Sequence, residues 1–368
     1  MFPLNHLSQL APQRRDLQRR VSHARNEELN QIHPLAHRRQ DAASAGPKHA
    51  PAEAARPKIG IALGAGAARG WSHIGVLLEL GEHGIFPDVV AGTSIGAVVG
   101  GCYAAGNLAM VEAFARGLTK KRVVSLMDVS FSGVGMLSGG RLKHHLSQAI
   151  GNRRIEDLDK SFATVATEVE TGHEIWLTKG DAMEAIRASY SLPGIFEPVQ
   201  INGRWLFDGA LVNPVPVTVC RALGADMVIA VNLIGDGAFR GIVIDDRLSM
   251  ESTLETLGAK PQNLQSLSAR LFGGMSGNLR RFFGKREDGA PGIATAMMDA
   301  FNIAQGRISR SRLAGDPPDV TINARLAKIG LFDFHRADEL IEMGREATRR
   351  AIPEIADHIA MTPASASA

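Results

Sequence analysis

The chain of 368 residues repeats one local order twice in its first third: a short apolar run, a glycine-rich turn, and an apolar segment with helical spacing. The first copy comprises residues 59–63 and 64–70, and the second comprises residues 89–91 and 92–96. This alternation of strand, turn and helix indicates a parallel sheet covered by helices. The dipeptide Asn202-Gly203 predicts a hairpin turn. We therefore predict an α/β fold with three α/β/α layers around a central, mainly parallel sheet, with further strands at residues 162–169, 174–178, 204–207 and 227–234.

The composition limits the class of protein. With 45% apolar and 21% charged residues, the chain is not disordered throughout and can bury a core that excludes water from a site. Two cysteines, Cys102 and Cys220, are too few for a disulfide scaffold or a zinc ribbon, so we predict buried, reduced thiols. Because no His, Cys and carboxylate cluster has ligand spacing, we expect neither a metal nor a cofactor.

The net charge of +3 is unevenly distributed. Residues 1–58 hold ten Lys/Arg and five Asp/Glu, a balance of +5, whereas the remaining residues hold 31 and 33, a balance of −2. The basic character therefore belongs to the N-terminal segment and gives no reason to expect a nucleic-acid partner. We predict that residues 1–57 form a basic, mostly disordered arm.

Beyond the arm we divide the chain into a core at 58–235, a basic amphipathic insertion at 236–290, and a C-terminal strand and helices at 291–360 that complete the domain. Within the insertion, residues 257–286 carry six Lys/Arg and no Asp/Glu, interleaved with Leu and Phe. Such a segment can rest on an anionic membrane surface, or it can be a solvated insertion packed on the domain. The expected location is the cytoplasm, with peripheral contact to the inner membrane on the first of these interpretations.

Residues 89–111 contain no charged residue and are long enough for a transmembrane helix. Their high content of Gly and Ala makes them poorly hydrophobic for lipid. We therefore favour a strand, a turn and a buried helix for this segment.

Ser94 lies in the one G-x-S-x-G pattern of the chain, Gly92-Thr93-Ser94-Ile95-Gly96. The pattern follows a short apolar strand and opens an apolar helix, as a nucleophile elbow requires. Flanking glycines permit a tight turn from which the hydroxyl projects at the positive end of the helix dipole. The alternative is a serine cap at an ordinary strand–helix junction.

The second glycine motif is the loop Gly64-Ala65-Gly66-Ala67-Ala68-Arg69-Gly70. A dinucleotide-binding loop requires G-x-G-x-x-G, but Arg69 stands where the third glycine belongs, and the P-loop pattern fails as well. The remaining interpretations are a set of backbone N–H groups that receive an oxyanion, or a purely structural turn.

Asp208 follows the predicted hairpin strand and begins Asp208-Gly209-Ala210. Asp-Gly is a common turn dipeptide, but an apolar strand precedes this one, so a partly buried carboxylate here could orient or deprotonate a serine. The order Ser94, Asp208, His335 would also suit an α/β-hydrolase triad. His335 precedes an amphipathic helix, however, where a capping or packing role explains it equally well.

Taken in order, these three motifs resemble the patatin-like phospholipase family, and residues 63–77 resemble its bacterial members related to neuropathy target esterase. Residues 189–199, 308–313 and 317–320 also resemble blocks of that family. The resemblance implies the three-layer patatin-like fold and a serine esterase that cleaves acyl esters of lipids, with phospholipids or lysophospholipids as the expected substrates.

The resemblance also implies a catalytic dyad without histidine, in which Ser94 is the nucleophile and Asp208 the general base. The oxyanion hole would then come from the glycine loop, with Gly64, Ala65, Gly66, Ala67, Arg69 and Gly70 as candidate residues. The loop departs from an all-glycine form at two alanines, and alanine disfavours positive φ. Arg69 matches a basic position of the family and is expected to hold the loop by hydrogen bonds.

Three other functions remain open at this point. The first is an esterase with a Ser94–Asp208–His335 triad, and the second is a non-catalytic lipid-binding or regulatory module. The third is a nicotinamide or flavin oxidoreductase, against which the position of Arg69 counts. The sequence leaves a homo-oligomer open as well.

Overall fold

The computed structural model describes residues 56–126, 139–234, 293–326 and 329–363. Almost all of the predicted arm and the whole insertion, with its 257–286 segment, lie outside the described residues, so the predictions made for them stay predictions. The strands are β1 Ile59–Leu63, β2 Val89–Thr93, β3 Ser161–Glu168, β4 Glu174–Leu177, β5 Val199–Ile201, β6 Arg204–Asp208, β7 Met227–Asn232 and β8 Val320–Asn323. The α-helices are α1 Ser72–Glu82, α2 Ile95–Ala104, α3 Leu108–Arg116, α4 Lys120–Leu126, α5 Gly140–Ile150, α6 Ala182–Tyr190, α7 Val217–Ala222, α8 Ile293–Gly315 and α9 Ala337–Met361.

One sheet contains these eight strands, and hydrogen-bonded neighbours follow the order β5-β6-β3-β2-β1-β7-β8. Strand β3 pairs with β2 along its first residues and with β6 along its last, and β4 pairs with β3 as well. The pairs β3–β2, β2–β1, β1–β7 and β7–β8 are parallel, whereas β4 and β6 are antiparallel to β3. Every residue of β1, β2 and β7 is buried, as strands covered on both faces require. Asn202 and Gly203, with φ of 51° and 80°, make the predicted turn between β5 and β6. The mainly parallel sheet of the sequence analysis is confirmed.

Helices cover both faces of the sheet. Ile61 and Leu63 of β1 belong to the core shared with α1, α2 and α9. Ala62, between them, faces the opposite way and packs with Val219 and Cys220 of α7. The alternation of side chains along β1 therefore separates two helical layers, and the predicted three-layer α/β/α architecture is confirmed.

Helices α1 and α9 approach each other at two glycines. A Cβ on Gly75 would lie 1.9 Å from the carbonyl oxygen of Ile341, and a Cβ on Gly344 would lie 2.0 Å from that of Ser72. The carboxylate of Glu79 on α1 is buried beneath α9. These contacts fix α1, and with it the loop that precedes α1, against the C-terminal helix.

Residues 89–111 form β2, α2 and the start of α3, as favoured above. No helix within the described ranges is both long enough and apolar enough to cross a membrane.

Candidate active site

The turn between β2 and α2 is a sharp elbow with Ser94 at its tip. Ser94 has φ of 58° and ψ of −123°, a conformation that L residues rarely adopt. A Cβ on Gly92 would lie 2.5 Å from the carbonyl oxygen of Gly96, and a Cβ on Gly96 would lie 2.0 Å from that of Leu63. A side chain would therefore collide with backbone atoms at either glycine of the G-x-S-x-G pattern.

The pairing of strands explains how Asp208 reaches this elbow. Thr164 of β3 pairs with Gly92 of β2 and, on its other edge, with β4. Ala166 of β3 pairs with Asp208 of β6 and, on its other edge, also with β4. Because β4 occupies one edge beside both residues, β2 and β6 lie end to end along the other. The C-terminal end of β6 therefore lies next to the residue that follows β2.

Asp208 is held at its backbone and its side chain. Its N–H donates to the carbonyl of Ser191 at 2.9 Å, and its own carbonyl accepts from Thr167 Oγ1 at 2.9 Å. The N–H of Ala210 donates to Oδ1 at 2.8 Å, and Ser94 Oγ donates to Oδ2 at 2.7 Å. The carboxylate is thus fixed with one oxygen directed at the serine hydroxyl.

Burial changes the acidity of Asp208, which is only 2% exposed. Burial raises its pKa to about 7, although the hydrogen bonds from Ala210 and Ser94 act in the opposite direction. A carboxyl group with a pKa near 7 can take and return a proton at neutral pH.

The glycine loop follows β1 and passes beside the elbow. Its first two N–H groups are already engaged, since Gly64 donates to Val231 O at 3.1 Å and Ala65 donates to Pro214 O at 2.9 Å. The carbonyl of Gly64 lies 2.7 Å from Nε2 of His73, a fully buried residue. Because burial lowers the pKa of His73 to about 4, this imidazole is neutral at pH 7 and donates from Nε2.

Arg69 holds the second half of the loop. Its side-chain Nε donates to the carbonyl of Ile329 at 3.0 Å, and its backbone N–H donates to Gly66 O at 3.1 Å. The N–H of Ala68 donates to the carbonyl of Leu331 at 2.9 Å. Arg69 therefore has the loop-holding contacts expected of it, and its amide does not face a ligand.

Two loop amides are available to a ligand. Among the described residues, the N–H groups of Gly66 and Ala67 have no acceptor, and both residues line the cavity that contains Ser94. Ala67 takes φ of 48° despite being an alanine. Gly70 serves packing, because a Cβ there would lie 2.2 Å from a methyl carbon of Ile95. Of the six loop residues that were candidates for the oxyanion hole, Gly66 and Ala67 are therefore the two whose amides remain candidates.

The amide of Ile95 is a further candidate that the sequence analysis did not assign. Ile95 is the first residue of α2, and the first N–H groups of a helix have no intrahelical acceptor. The residue lines the same cavity and directly follows Ser94. Its place after the nucleophile of an elbow was the available sequence signal.

The cavity that contains Ser94 and Asp208 has a mainly apolar wall. Helices from separate parts of the chain contribute to it, namely α2, α3 to α5, α6 and α8. The large side chains of this wall include Trp71, Phe114, Leu142, Tyr190, Phe196 and Phe301. The arrangement suits a long apolar group whose polar end lies at the serine.

The chain matches a family model described as Patatin-like phospholipase over residues 61–221. An uncharacterized NTE family protein of Mycobacterium tuberculosis (strain ATCC 25618 / H37Rv) is 31% identical over 329 residues, covering 80% of this chain and 91% of that protein. The chain belongs to the patatin-like phospholipase family. Membership implies a lipid hydrolase activity.

Two further likenesses of this patatin-like protein are partial or distant. Lysophospholipase NTE1 of Yarrowia lipolytica (strain CLIB 122 / E 150) is 38% identical over 182 residues, which are 48% of this chain and 12% of that protein. A crystal structure of VipD from Legionella pneumophila covers 81% of this chain and 67% of its own at 13% identity, with a TM-score of 0.39. The last likeness carries no argument about function.

The geometry of this patatin-like site argues against a Ser–Asp–His triad. Ser94 Oγ donates directly to Asp208, so no imidazole lies between them. His335 lies in a short 3₁₀ helix, Phe334–Arg336, and does not line the cavity. In the part of the chain that the structure describes, no three His, Cys, Asp or Glu side chains are grouped so that they could hold a metal ion.

Proposed function

We propose that this patatin-like protein is a serine hydrolase that cleaves carboxylic esters of lipids, with Ser94 as nucleophile and Asp208 as its base. The observation that carries the proposal is the 2.7 Å hydrogen bond from the Ser94 hydroxyl to a buried carboxylate whose pKa is raised to about 7. A base whose pKa lies near 7 accepts and returns protons efficiently at neutral pH.

The first half of the reaction forms an acyl-enzyme. Ser94 Oγ attacks the ester carbonyl while its proton moves to Asp208 Oδ2. The negative charge that develops on the carbonyl oxygen is received by the N–H groups of Gly66 and Ala67, and that of Ile95 adds the positive end of α2. When the C–O bond breaks, Asp208 returns the proton to the departing alcohol.

The second half releases the fatty acid. A water molecule attacks the acyl-enzyme as Asp208 accepts one of its protons, and the same amides stabilise the second oxyanion. Asp208 then protonates Ser94 Oγ, which restores the starting hydrogen bond. A single carboxyl group suffices because one proton is taken and returned in each half.

The apolar lining of the cavity around Ser94 and Asp208 supports a lipid substrate. An apolar cavity favours a long acyl chain over a short polar acid. The relative from Yarrowia lipolytica is named a lysophospholipase. We therefore propose acyl esters of phospholipids or lysophospholipids as the substrate class.

The proposal places catalysis in residues 58–235, completed by residues 291–360, and it includes contact with an anionic membrane through residues 257–286. For the second part the support is the sequence alone, in which six basic residues occur without an acidic one. Sedimentation with vesicles checks this part. Binding that is no stronger to vesicles with phosphatidylglycerol than to neutral ones contradicts it.

The experiment for catalysis combines product analysis with active-site labelling. The purified chain is incubated with lysophosphatidylcholine and with p-nitrophenyl acyl esters, and a fluorophosphonate probe reports the reactive serine. We expect fatty-acid release and labelling at Ser94, both lost in Ser94→Ala and in Asp208→Asn. His335→Ala separates the dyad from a triad, because only the dyad retains activity in this variant.

Two outcomes would overturn the proposal. Full activity in Ser94→Ala would remove the nucleophile from the mechanism. Lipid binding without either hydrolysis or labelling would instead indicate a non-catalytic lipid-binding module.

A further inference from the structure

The hydroxyl of Ser189, at the end of α6, connects the nucleophile elbow to the central sheet. Ser189 Oγ accepts the backbone N–H of Ser94 at 2.9 Å and donates its own proton to the carbonyl of Val165 on β3 at 2.6 Å. An N–H group can only donate and a carbonyl can only accept, so the direction of both bonds is fixed. Among small side chains, a hydroxyl performs both roles with one atom.

The elbow needs such support because Ser94 lies at φ of 58°. A non-glycine residue keeps this conformation only when its surroundings determine it strongly. The carbonyl of Ser94 is held by the N–H groups of Ala97 and Val98, and its hydroxyl is directed to Asp208. The N–H of Ser94 donates to Ser189 Oγ, so this one bond holds the N-terminal side of the turn.

The same segment also holds the base. Two residues after Ser189, the carbonyl of Ser191 accepts the N–H of Asp208 at 2.9 Å. The turn after Asp208 packs on the carbonyl of Val165, since a Cβ on Gly209 would lie 2.3 Å from that oxygen. The carbonyl oxygen of Val165 therefore contacts the turn after Asp208, and through the hydroxyl of Ser189 it is also linked to the backbone of Ser94.

We propose that Ser189 is a positioning residue of the Ser94–Asp208 pair, an inference that rests on the proposed function. Ser189 is fully buried and does not line the cavity, so it does not touch the substrate. Its hydroxyl sets the position of the Ser94 backbone, and thereby the direction of Ser94 Oγ toward Asp208 Oδ2 and the bound ester.

Ser191 provides a matched control for Ser189. Both serines are fully buried, and they are two residues apart. The hydroxyl of Ser191 donates to the carbonyl of Arg187 at 2.8 Å, within α6 and its last turn, and has no bond to the elbow. Ser191→Ala therefore removes an equally buried hydroxyl while the backbone carbonyl that holds Asp208 remains.

The experiment measures kcat, KM and the rate of fluorophosphonate labelling for Ser189→Ala, Ser189→Cys and Ser191→Ala. A misplacement of about 1 Å can cost on the order of 10² in rate. We expect Ser189→Ala to lose roughly 10- to 100-fold in both kcat and labelling, with KM changed less than about twofold, because the cavity is untouched. Ser189→Cys should fall between serine and alanine, and Ser191→Ala should match the wild type.

A second readout does not depend on catalysis. Hydrogen exchange of the Ser94 amide, followed by NMR, should become faster in Ser189→Ala and stay unchanged in Ser191→Ala, because only the first variant removes its acceptor. If the wild type neither hydrolyses esters nor reacts with the probe, the proposed function fails. The difference in Ser94 amide exchange between the wild type and Ser189→Ala then still shows whether Ser189 holds the elbow.

Three results would overturn the inference. One is a folded Ser189→Ala variant with wild-type kcat and labelling, and another is an equal loss in Ser191→Ala, which would indicate a general effect of buried hydroxyls. Should Ser189→Ala not fold, Ser189→Cys decides, and a wild-type kcat in this variant overturns the proposal.

Discussion

Replacing Asp208 with Asn should abolish activity and at the same time stabilise the fold at alkaline pH. In the folded protein the buried carboxyl has its pKa raised to about 7 from 3.8. The unfolded chain releases this proton at lower pH, so raising the pH between about 4 and 7 favours the unfolded state. Asn has no proton to lose, and its amide oxygen can still accept the N–H of Ala210.

The size of the effect follows from the difference between the two pKa values of Asp208. Roughly three pKa units at 1.36 kcal/mol each give a cost on the order of 4 kcal/mol once both states are ionised. Between pH 5 and pH 8 the free energy of unfolding of Asp208→Asn, relative to the wild type, should therefore rise by about 2–3 kcal/mol. Other groups titrate alike in both proteins and cancel in this difference.

Urea unfolding of both proteins at several pH values measures this difference. Asp88→Asn serves as a control without pH dependence in this range. Although burial alone would raise the pKa of Asp88, hydrogen bonds from Arg56 and the N–H of Ile59 lower it from 3.8, so this carboxyl is ionised in both the folded and the unfolded state above pH 5. The difference in unfolding free energy between Asp88→Asn and the wild type should therefore stay flat from pH 5 to pH 8. A difference in unfolding free energy between the wild type and Asp208→Asn that stays flat from pH 5 to pH 8 would refute the reasoning about burial.

Two further predictions concern rate and packing. Because the base must be ionised, kcat/KM for a p-nitrophenyl ester should rise about tenfold per pH unit below about 7 and level off above it; a flat profile from pH 5 to pH 9 would exclude Asp208 as the base. In α1, Gly75→Ala should destabilise the protein by at least about 1–3 kcal/mol in urea unfolding, because its Cβ would meet the Ile341 carbonyl at 1.9 Å. Gly81→Ala in the same helix, where the nearest atom lies at 3.5 Å, should be neutral or stabilising, and equal losses in the two variants would contradict the packing argument.

The sequence predicted those features that have a local signal. The two strand–glycine–helix units indicated the parallel centre of the sheet, and the Gly92-x-Ser94-x-Gly96 spacing indicated the elbow, where a Cβ on Gly92 would clash with the carbonyl of Gly96. Asn202-Gly203 indicated the hairpin because both residues tolerate the positive φ that its turn requires. These signals come from residues that are neighbours in the chain.

Features that depend on distant contacts had a weak local signal or none. Asp208 is one of three Asp-Gly pairs, so its assignment needed the apolar strand before it and the family resemblance, whereas what brings it to Ser94 is the pairing of β6 with β3. Ser189 acts on a residue 95 positions away through the packing of α6 on β3. Ala67 takes the positive φ that alanine disfavours, because bonds from Ala68 and Arg69 to the segment around residue 330 hold the loop.

The order of the strands has a consequence for biosynthesis. Ser94 and Asp208 are 114 residues apart in the chain, and at ~5–20 residues per second a ribosome needs about 6–23 s to add that length. During this interval Ser94 on the nascent chain has no carboxylate partner, and α8, which lines one side of the cavity, is made later still. On the proposed mechanism, the growing polypeptide should not hydrolyse lipids until translation has passed α8.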